Sequence, residues 1–186
     1  MLENKTVAIG ITGGIAAYKI CELVSRLKKL HANVICIMTH NAANFITPLT
    51  LETLSGNRVI TDTFDRNFTY EVEHISLAKK ADLLVIAPAT ANIIAKFASG
   101  IADDMLSTTF LAYRKDVLIC PAMNTAMYEN PATQENINTL KKRKIEFIEP
   151  DSGLLACGDS GKGRLADITE IEKKIVELLN TNKDYS

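Results

Sequence analysis

The stretch Lys5-Thr-Val-Ala-Ile-Gly-Ile11, then Thr12-Gly-Gly14, then Ile15-Ala-Ala-Tyr-Lys-Ile20-Cys-Glu-Leu23-Val24-Ser-Arg-Leu27, decides the fold. A short β-branched apolar run is followed by two glycines. After them Ile20, Leu23, Val24, Leu27 and Leu30 recur with a 3.6-residue period, which reads as strand, glycine turn, helix. The alternation continues down the chain. Asn33–Met38, a short Arg58–Thr61, Leu83–Ala87, Val117–Cys120 and Ile145–Ile148 read as further strands. Helical patterns lie at about 48–55, 75–80, 91–98, 103–112, 130–143 and 168–179. Short continuous apolar strands alternating with helices indicate a parallel sheet covered on both faces. The expected fold is a three-layer, doubly wound α/β domain, Rossmann-like or flavodoxin-like, occupying residues 1–186 as one unit.

In such sheets ligands bind beyond the carboxyl ends of the strands, where strand order reverses. Those ends carry Thr12-Gly13-Gly14, Thr39-His40-Asn41, Pro88-Ala89-Thr90-Ala91-Asn92 and Pro121-Ala122-Met123-Asn124, each with Gly, Pro, Thr or Asn. The glycine turn lacks the Gly-Lys-Ser/Thr of a Walker A loop and the Gly-x-Gly-x-x-Gly of a dinucleotide fingerprint. What remains is a turn entering a helix, whose amides suit one phosphate, so a mononucleotide such as FMN fits; a close-packed strand-to-helix turn is the alternative.

Composition narrows the partners. The chain has 186 residues, 47% hydrophobic and 23% charged, with a formal charge of −1, which gives no general attraction to nucleic acid. The opening apolar run is too short for a signal segment or a membrane span, so a cytoplasmic location is expected and no membrane partner. Cys21, Cys36, Cys120 and Cys157 form no C-x-x-C pair, so no metal site is expected; the first three sit in helix or strand patterns and read as core thiols.

Cys157 is different. From Gly153 to Leu165 there are four glycines in thirteen residues, which reads as a loop of about 150–166, with Lys162 and Arg164 placed to close over a small anionic ligand. An incidental cysteine in a surface loop is the other reading. Asn124 is suited either to cap the next helix or to hold a carboxylate, and Asp103-Asp104 reads as a helix start rather than an acid–base pair. His74, in Val-Glu-His-Ile-Ser-Leu-Ala, precedes the strand at 83–87 and is expected on the side away from the ligand loops, within reach of a site only across a subunit interface.

Six motifs in order, Gly10-Ile-Thr-Gly-Gly-Ile-Ala-Ala-Tyr-Lys19, His74-Ile75-x-Leu77, Ala87-Pro-Ala-Thr-Ala-Asn92, Gly100-Ile-Ala-Asp-Asp104, Pro121-Ala-Met-Asn124 and Gly153 to Arg164, resemble the flavin-containing cysteine decarboxylases over about residues 5–180. Within that family they are most similar to the branch that converts 4'-phosphopantothenoylcysteine to 4'-phosphopantetheine in coenzyme A biosynthesis, in its stand-alone form. Tyr128 stands where many relatives have tryptophan.

The resemblance implies a lyase that uses FMN as an electron sink. The substrate's thiol end is oxidised to a thioaldehyde, carbon dioxide leaves to give an enethiol, and the electrons return. It implies His74 for oxidation and decarboxylation, Asn124 for the substrate carboxylate and Cys157 as the final proton donor. Gly13, Gly14, Ile15, Thr39, Phe45, Thr90, Ala91 and Asn92 would contact FMN, and Ala156, Cys157, Lys162 and Arg164 the phosphorylated cysteine conjugate. It also implies self-association as a homotrimer, in some members built up to a dodecamer. A peptidyl-cysteine decarboxylase of lantibiotic maturation and a non-catalytic flavin-binding regulator are the competing readings.

Overall fold

Residues 6 to 11 are apolar or small on both sides, and in the computed structural model every one of them is buried. The structure describes residues 1–63, 73–154, 158 and 160–181. Five strands, β1 (Thr6–Ile11), β2 (Asn33–Met38), β3 (Leu83–Ala89), β4 (Val117–Pro121) and β5 (Glu146–Phe147), form one parallel sheet in the order β2-β1-β3-β4-β5. A strand buried on both faces must be apolar at consecutive positions, which is why the strand signal is a run and not an alternation.

Eight α-helices are described: α1 (Ile20–Lys29), α2 (Pro48–Ser55), α3 (Glu73–Lys80), α4 (Ala91–Ser99), α5 (Met105–Ala112), α6 (Thr125–Glu129), α7 (Pro131–Lys142) and α8 (Ile168–Thr181). They build two cores, one on each face of the sheet. On one face Val7, Ile9 and Ile11 of β1 meet Ile20, Leu23 and Leu27 of α1 and Ile171 and Ile175 of α8. On the other, Leu84 and Ile86 of β3 meet Ile93 and Phe97 of α4, Leu106 of α5 and Ile137 of α7. The Phe97 and Phe110 rings stack 3.8 Å apart. Fully burying one such side chain contributes about 1.5–3 kcal/mol, so the two apolar layers dominate the stability of the sheet.

The strand order reverses between β1 and β3. From β1 the chain moves outward to β2; from β3 it moves the other way, through β4 to β5. This is the flavodoxin-like order, with its crevice beyond the ends of β1 and β3.

Two expectations differ from the structure. The segment 58–61 forms no strand of its own, contributing only an isolated bridge between Ile60 and Ile37. The glycine-rich segment expected as a loop contains a two-stranded antiparallel ribbon, β6 (Asp151–Leu154) and β7 (Ser160–Arg164). Glycine weakens a central strand, but this ribbon pairs with no strand of the main sheet, and its glycines serve close approach instead of pairing.

Candidate functional site

A cleft of about 660 Å³ opens beyond the carboxyl ends of β1, β3 and β4, lined by Gly13, Gly14, Ile15, Ala16, Tyr18 and Lys19 from the first turn, Thr90, Ala122, Met123, Asn124 and Met127, and Leu154, Gly163, Arg164 and Leu165. It lies at the switch point, with a volume in the range of small-molecule sites.

Its floor is tied together by a residue that sequence reasoning passed over. Thr12, 2% exposed, donates from its hydroxyl to the Pro88 carbonyl at 2.6 Å and accepts from the Thr90 amide at 3.1 Å. The ends of β1 and β3 are thereby locked side by side. Thr90 in turn caps α4, its hydroxyl accepting from the Ile93 amide. A hydroxyl at the end of an apolar strand, just before Gly-Gly, was the available signal.

Beyond Thr12 the chain has no room for side chains. A Cβ on Gly13 would lie 2.5 Å from Cβ of Asn41, so the Thr39–Phe45 segment packs directly on the turn. Residues 15–19 then form a 3-10 turn that runs into α1. The leading amides of such a turn have no partner inside it, and Gly14, Ile15 and Ala16 line the cleft, where a Cβ on Gly14 would reach only van der Waals contact with the Thr90 methyl at 3.9 Å. A backbone cradle without Cβ atoms, backed by a helix, fits the phosphate of a mononucleotide. The residues present therefore suit FMN.

Of the expected cofactor residues, Gly13, Gly14, Ile15 and Thr90 line the cleft. Ala91 and Asn92 form the first turn of α4, directly after Thr90, but are not part of the lining, and neither is Thr39 or the half-exposed Phe45. Asn124 does line it, and its Oδ1 caps α6 by accepting from the Ala126 amide at 2.9 Å. Of the two uses weighed for this residue, the cap is the one seen, at a position that lies on the cleft. Asp104 is a helix cap, with Ser107 completing a reciprocal capping box, and Asp103 pairs with Lys96.

The ribbon closes one side. The Met123 amide donates to the Gly163 carbonyl at 2.9 Å, and a Cβ on Gly163 would overlap the Met123 carbonyl. Gly161 packs as closely on the Thr125 side chain. The register shift between Asp151 and Ser152 lets Arg164 line the cleft while Lys162 does not. Instead the Lys162 ammonium lies 2.9 Å from Glu149, on the outside of the ribbon. Lys19 is the second cation in the cleft, a residue the sequence reading did not single out. Ala156 and Cys157 lie outside the described residues.

His74 does not line the cleft. It sits in the first turn of α3, whose Leu77 and Ala78 pack in the layer formed by α4, α5 and α7. The expectation that it faces away from the ligand loops is corrected by helix direction. After α3 the Asp82 amide donates to the Thr6 carbonyl at the amino end of β1, so the opposite end of α3, with His74, is directed toward the carboxyl rim. Cys36 and Cys120 are buried thiols, Cys36 pushed by burial up to about 12, as expected of core residues. Among the described residues no cluster suits a metal ion, and no helix is long and apolar enough to cross a membrane.

Comparison with known proteins converges on this geometry. The model of a family described as "Flavoprotein" matches residues 1–180. The coenzyme A biosynthesis bifunctional protein CoaBC of Bacillus subtilis (strain 168) is 50% identical over 173 residues, 93% of this chain and 43% of the relative. The chain thus spans less than half the length of that relative. A probable phosphopantothenoylcysteine decarboxylase of Streptococcus mutans serotype c is 46% identical over 178 residues, covering 95% of this chain and 99% of the relative. Among solved structures, the FMN-dependent cysteine decarboxylase SpaF superposes with a TM-score of 0.86 at 31% identity, covering 97% of this chain and 98% of that one. A PPC decarboxylase variant complexed with pantothenoylaminoethenethiol superposes with a TM-score of 0.84 at 29% identity, covering 95% and 98%.

Proposed function

Because the chain belongs to the flavoprotein family, we propose that it is an FMN-dependent decarboxylase of 4'-phosphopantothenoylcysteine, producing 4'-phosphopantetheine for coenzyme A synthesis. The carrying observation is the cleft itself, which joins a Cβ-free phosphate cradle, the Asn124 amide and two cations, Lys19 and Arg164, at the switch point. The relative of matching length is named for this reaction, and the half-length match to the bifunctional protein accords with it.

Removing carbon dioxide from a cysteine carboxylate leaves charge on carbon with no acceptor nearby; FMN, when bound, supplies a reversible two-electron sink for the thiol end. The turn at Gly13–Ala16 would hold its phosphate. Oδ1 of Asn124 is oriented by α6, and its amide nitrogen is the donor that would grip the substrate carboxylate. His74 would act as the base of the oxidative half. Cys157 would return the last proton, an ordinary thiol of pKa about 8.5 being mostly protonated at neutral pH. Ile15, Tyr18, Met127 and Leu154 offer apolar surface to the pantothenoyl arm, with Lys19 and Arg164 for its phosphate. The reading carries with it a cytoplasmic location and a homotrimer, with His74 reaching the cleft of a neighbouring copy.

A peptidyl-cysteine decarboxylase is the second reading, favoured by the likeness to the peptidyl-cysteine decarboxylase EpiD, at a TM-score of 0.78 and 26% identity. The two cations discriminate: a peptide has no phosphate to meet them. The test is the absorption spectrum of the purified protein, followed by carbon dioxide release from phosphopantothenoylcysteine and from a peptide ending in cysteine. Yellow protein that turns over only the phosphorylated conjugate is expected. Colourless protein that FMN cannot reconstitute, or turnover of the peptide alone, overturns the proposal. In single-turnover mass spectrometry, Cys157→Ser is expected to release carbon dioxide and stall at the enethiol, whereas His74→Asn releases none.

A further inference from the structure

Glu149, which does not touch the cleft, gathers three side chains from three different elements. Its Oε1 accepts from Lys141 of α7 at 2.7 Å; its Oε2 accepts from the Tyr128 hydroxyl of α6 at 2.5 Å and from Lys162 of β7 at 2.9 Å. The triangle is closed from above, since the Lys162 ammonium also lies 5.5 Å from the centre of the Tyr128 ring. Tyr128 is buried, and its own amide donates to the Asn124 carbonyl.

We propose that Tyr128, Glu149 and Lys162 form a positioning device that seats the β6–β7 ribbon against α6, and so sets how Arg164 and Leu154 meet the substrate across from Asn124. The inference rests on the decarboxylase reading for its substrate, and adds to it residues that act from outside the cleft.

The physical case is that the ribbon has little else to hold it. A two-stranded ribbon is marginal in water by itself. Five of its nine strand residues are polar or charged, three are glycine, and among the described residues β6 and β7 pair only with each other. Its inner anchorage is the Met123–Gly163 main-chain hydrogen bond, with Gly163 packed on the Met123 carbonyl and Gly161 on the Thr125 side chain, which fixes its distance from α6 along one strand only. Lys162 supplies the lateral constraint. It sits between Gly161 and Gly163, so its tether to Glu149 and Tyr128 holds the very residues whose approach defines the cleft wall. Charge-assisted hydrogen bonds sharing one carboxylate are stronger and more directional than neutral ones. The tyrosine hydroxyl is what makes this arrangement possible at position 128.

The experiment uses the FMN-loaded protein and three variants, Tyr128→Phe, Glu149→Gln and Lys162→Met, with Lys162→Arg as the conservative control. Amide hydrogen exchange over residues 151–154 and 160–164 is read without substrate. KM and kcat for the phosphorylated cysteine conjugate and the affinity for FMN are read separately. Faster exchange confined to the ribbon, KM raised about 10-fold with FMN affinity unchanged, and near-normal behaviour of Lys162→Arg are expected. Unchanged exchange in Glu149→Gln and Tyr128→Phe overturns the proposal, as does faster exchange with unaltered KM. An equal loss of FMN affinity would also overturn it, by showing general destabilisation. Failure of the decarboxylase reading is seen independently, as absent turnover by the unmodified protein, and leaves the exchange result to decide the anchoring.

Discussion

The carbonyl of Gly163 and the amide of Met123, forty residues apart in the chain, share a 2.9 Å hydrogen bond at a point where no Cβ fits between their backbones. At this point one wall of the cleft meets another main chain to main chain. Gly163→Ala places a methyl group on the Met123 carbonyl and must displace the ribbon. We expect a stability loss of about 1–3 kcal/mol by urea denaturation, with retained yellow colour and sharply raised KM. A normal KM would show that the ribbon tolerates the shift.

Gly13→Ala acts on the other half of the site. Its Cβ would fall 2.5 Å from that of Asn41 and 3.1 Å from the Asn41 carbonyl carbon, leaving a backbone neighbour with no flexible end to move. The cradle must open. The variant is expected to purify colourless or to bind FMN at least about 100-fold more weakly, as followed by flavin fluorescence titration.

Asn124 serves as a helix cap and as the proposed carboxylate donor, and one substitution separates the roles. Asn124→Asp keeps an oxygen able to accept from the Ala126 amide, so the thermal midpoint of unfolding is expected to stay close to that of the parent, with a difference within about 0.5 kcal/mol. It replaces a donor with a like charge facing the substrate carboxylate, and carbon dioxide release is expected to fall at least about 100-fold. Substantial activity in Asn124→Asp would remove the carboxylate contact from the mechanism.

Glu149 carries a pH dependence whose sign follows from its neighbours. Hydrogen bonds from Lys141, then Tyr128 and Lys162, hold its carboxyl at about 2 against an ordinary 4.5. A depressed folded-state value means stability that is fully present above 4.5 and lost as pH falls through about 2. The carboxylate is half exposed, so solvent screening keeps the effect modest. Urea midpoints measured from about pH 6 down to about pH 2 should converge for the parent and Glu149→Gln at the acid end and differ by a constant amount above about pH 5. Parallel curves throughout would show that Glu149 gains nothing from these partners.

The parallel sheet was legible because burial on both faces writes itself into consecutive residues, as in Val7 to Ile11 and Leu83 to Ile86. Caps were legible too: Asp104 and Asn124 are short polar side chains at the starts of helical patterns; Thr90, expected at the cofactor, proves to be a cap as well. Arg58–Thr61 misled because its brief β-branched run meets the sheet edge only at Ile60. The ribbon was illegible for a different reason. Its glycines are explained by Met123 and Thr125, thirty-six or more residues earlier, and Lys162 by Glu149 and Tyr128, contacts that no local pattern encodes. Arg164 and Lys162 look equivalent in the sequence, two apart in one strand; the register shift in the ribbon sends them to different neighbours.

The Thr12 bridge and the self-paired ribbon divide the site into parts with different evolutionary freedom. The rim joined by Thr12, Pro88 and Thr90 is continuous with the folding core, so a change there is felt by both apolar layers at once. Among the described residues, β6 and β7 pair only with each other. A lineage can therefore rewrite, lengthen or exchange this ribbon while inheriting the cofactor rim intact, and new substrates become accessible through a short exchangeable cassette without redesign of the domain.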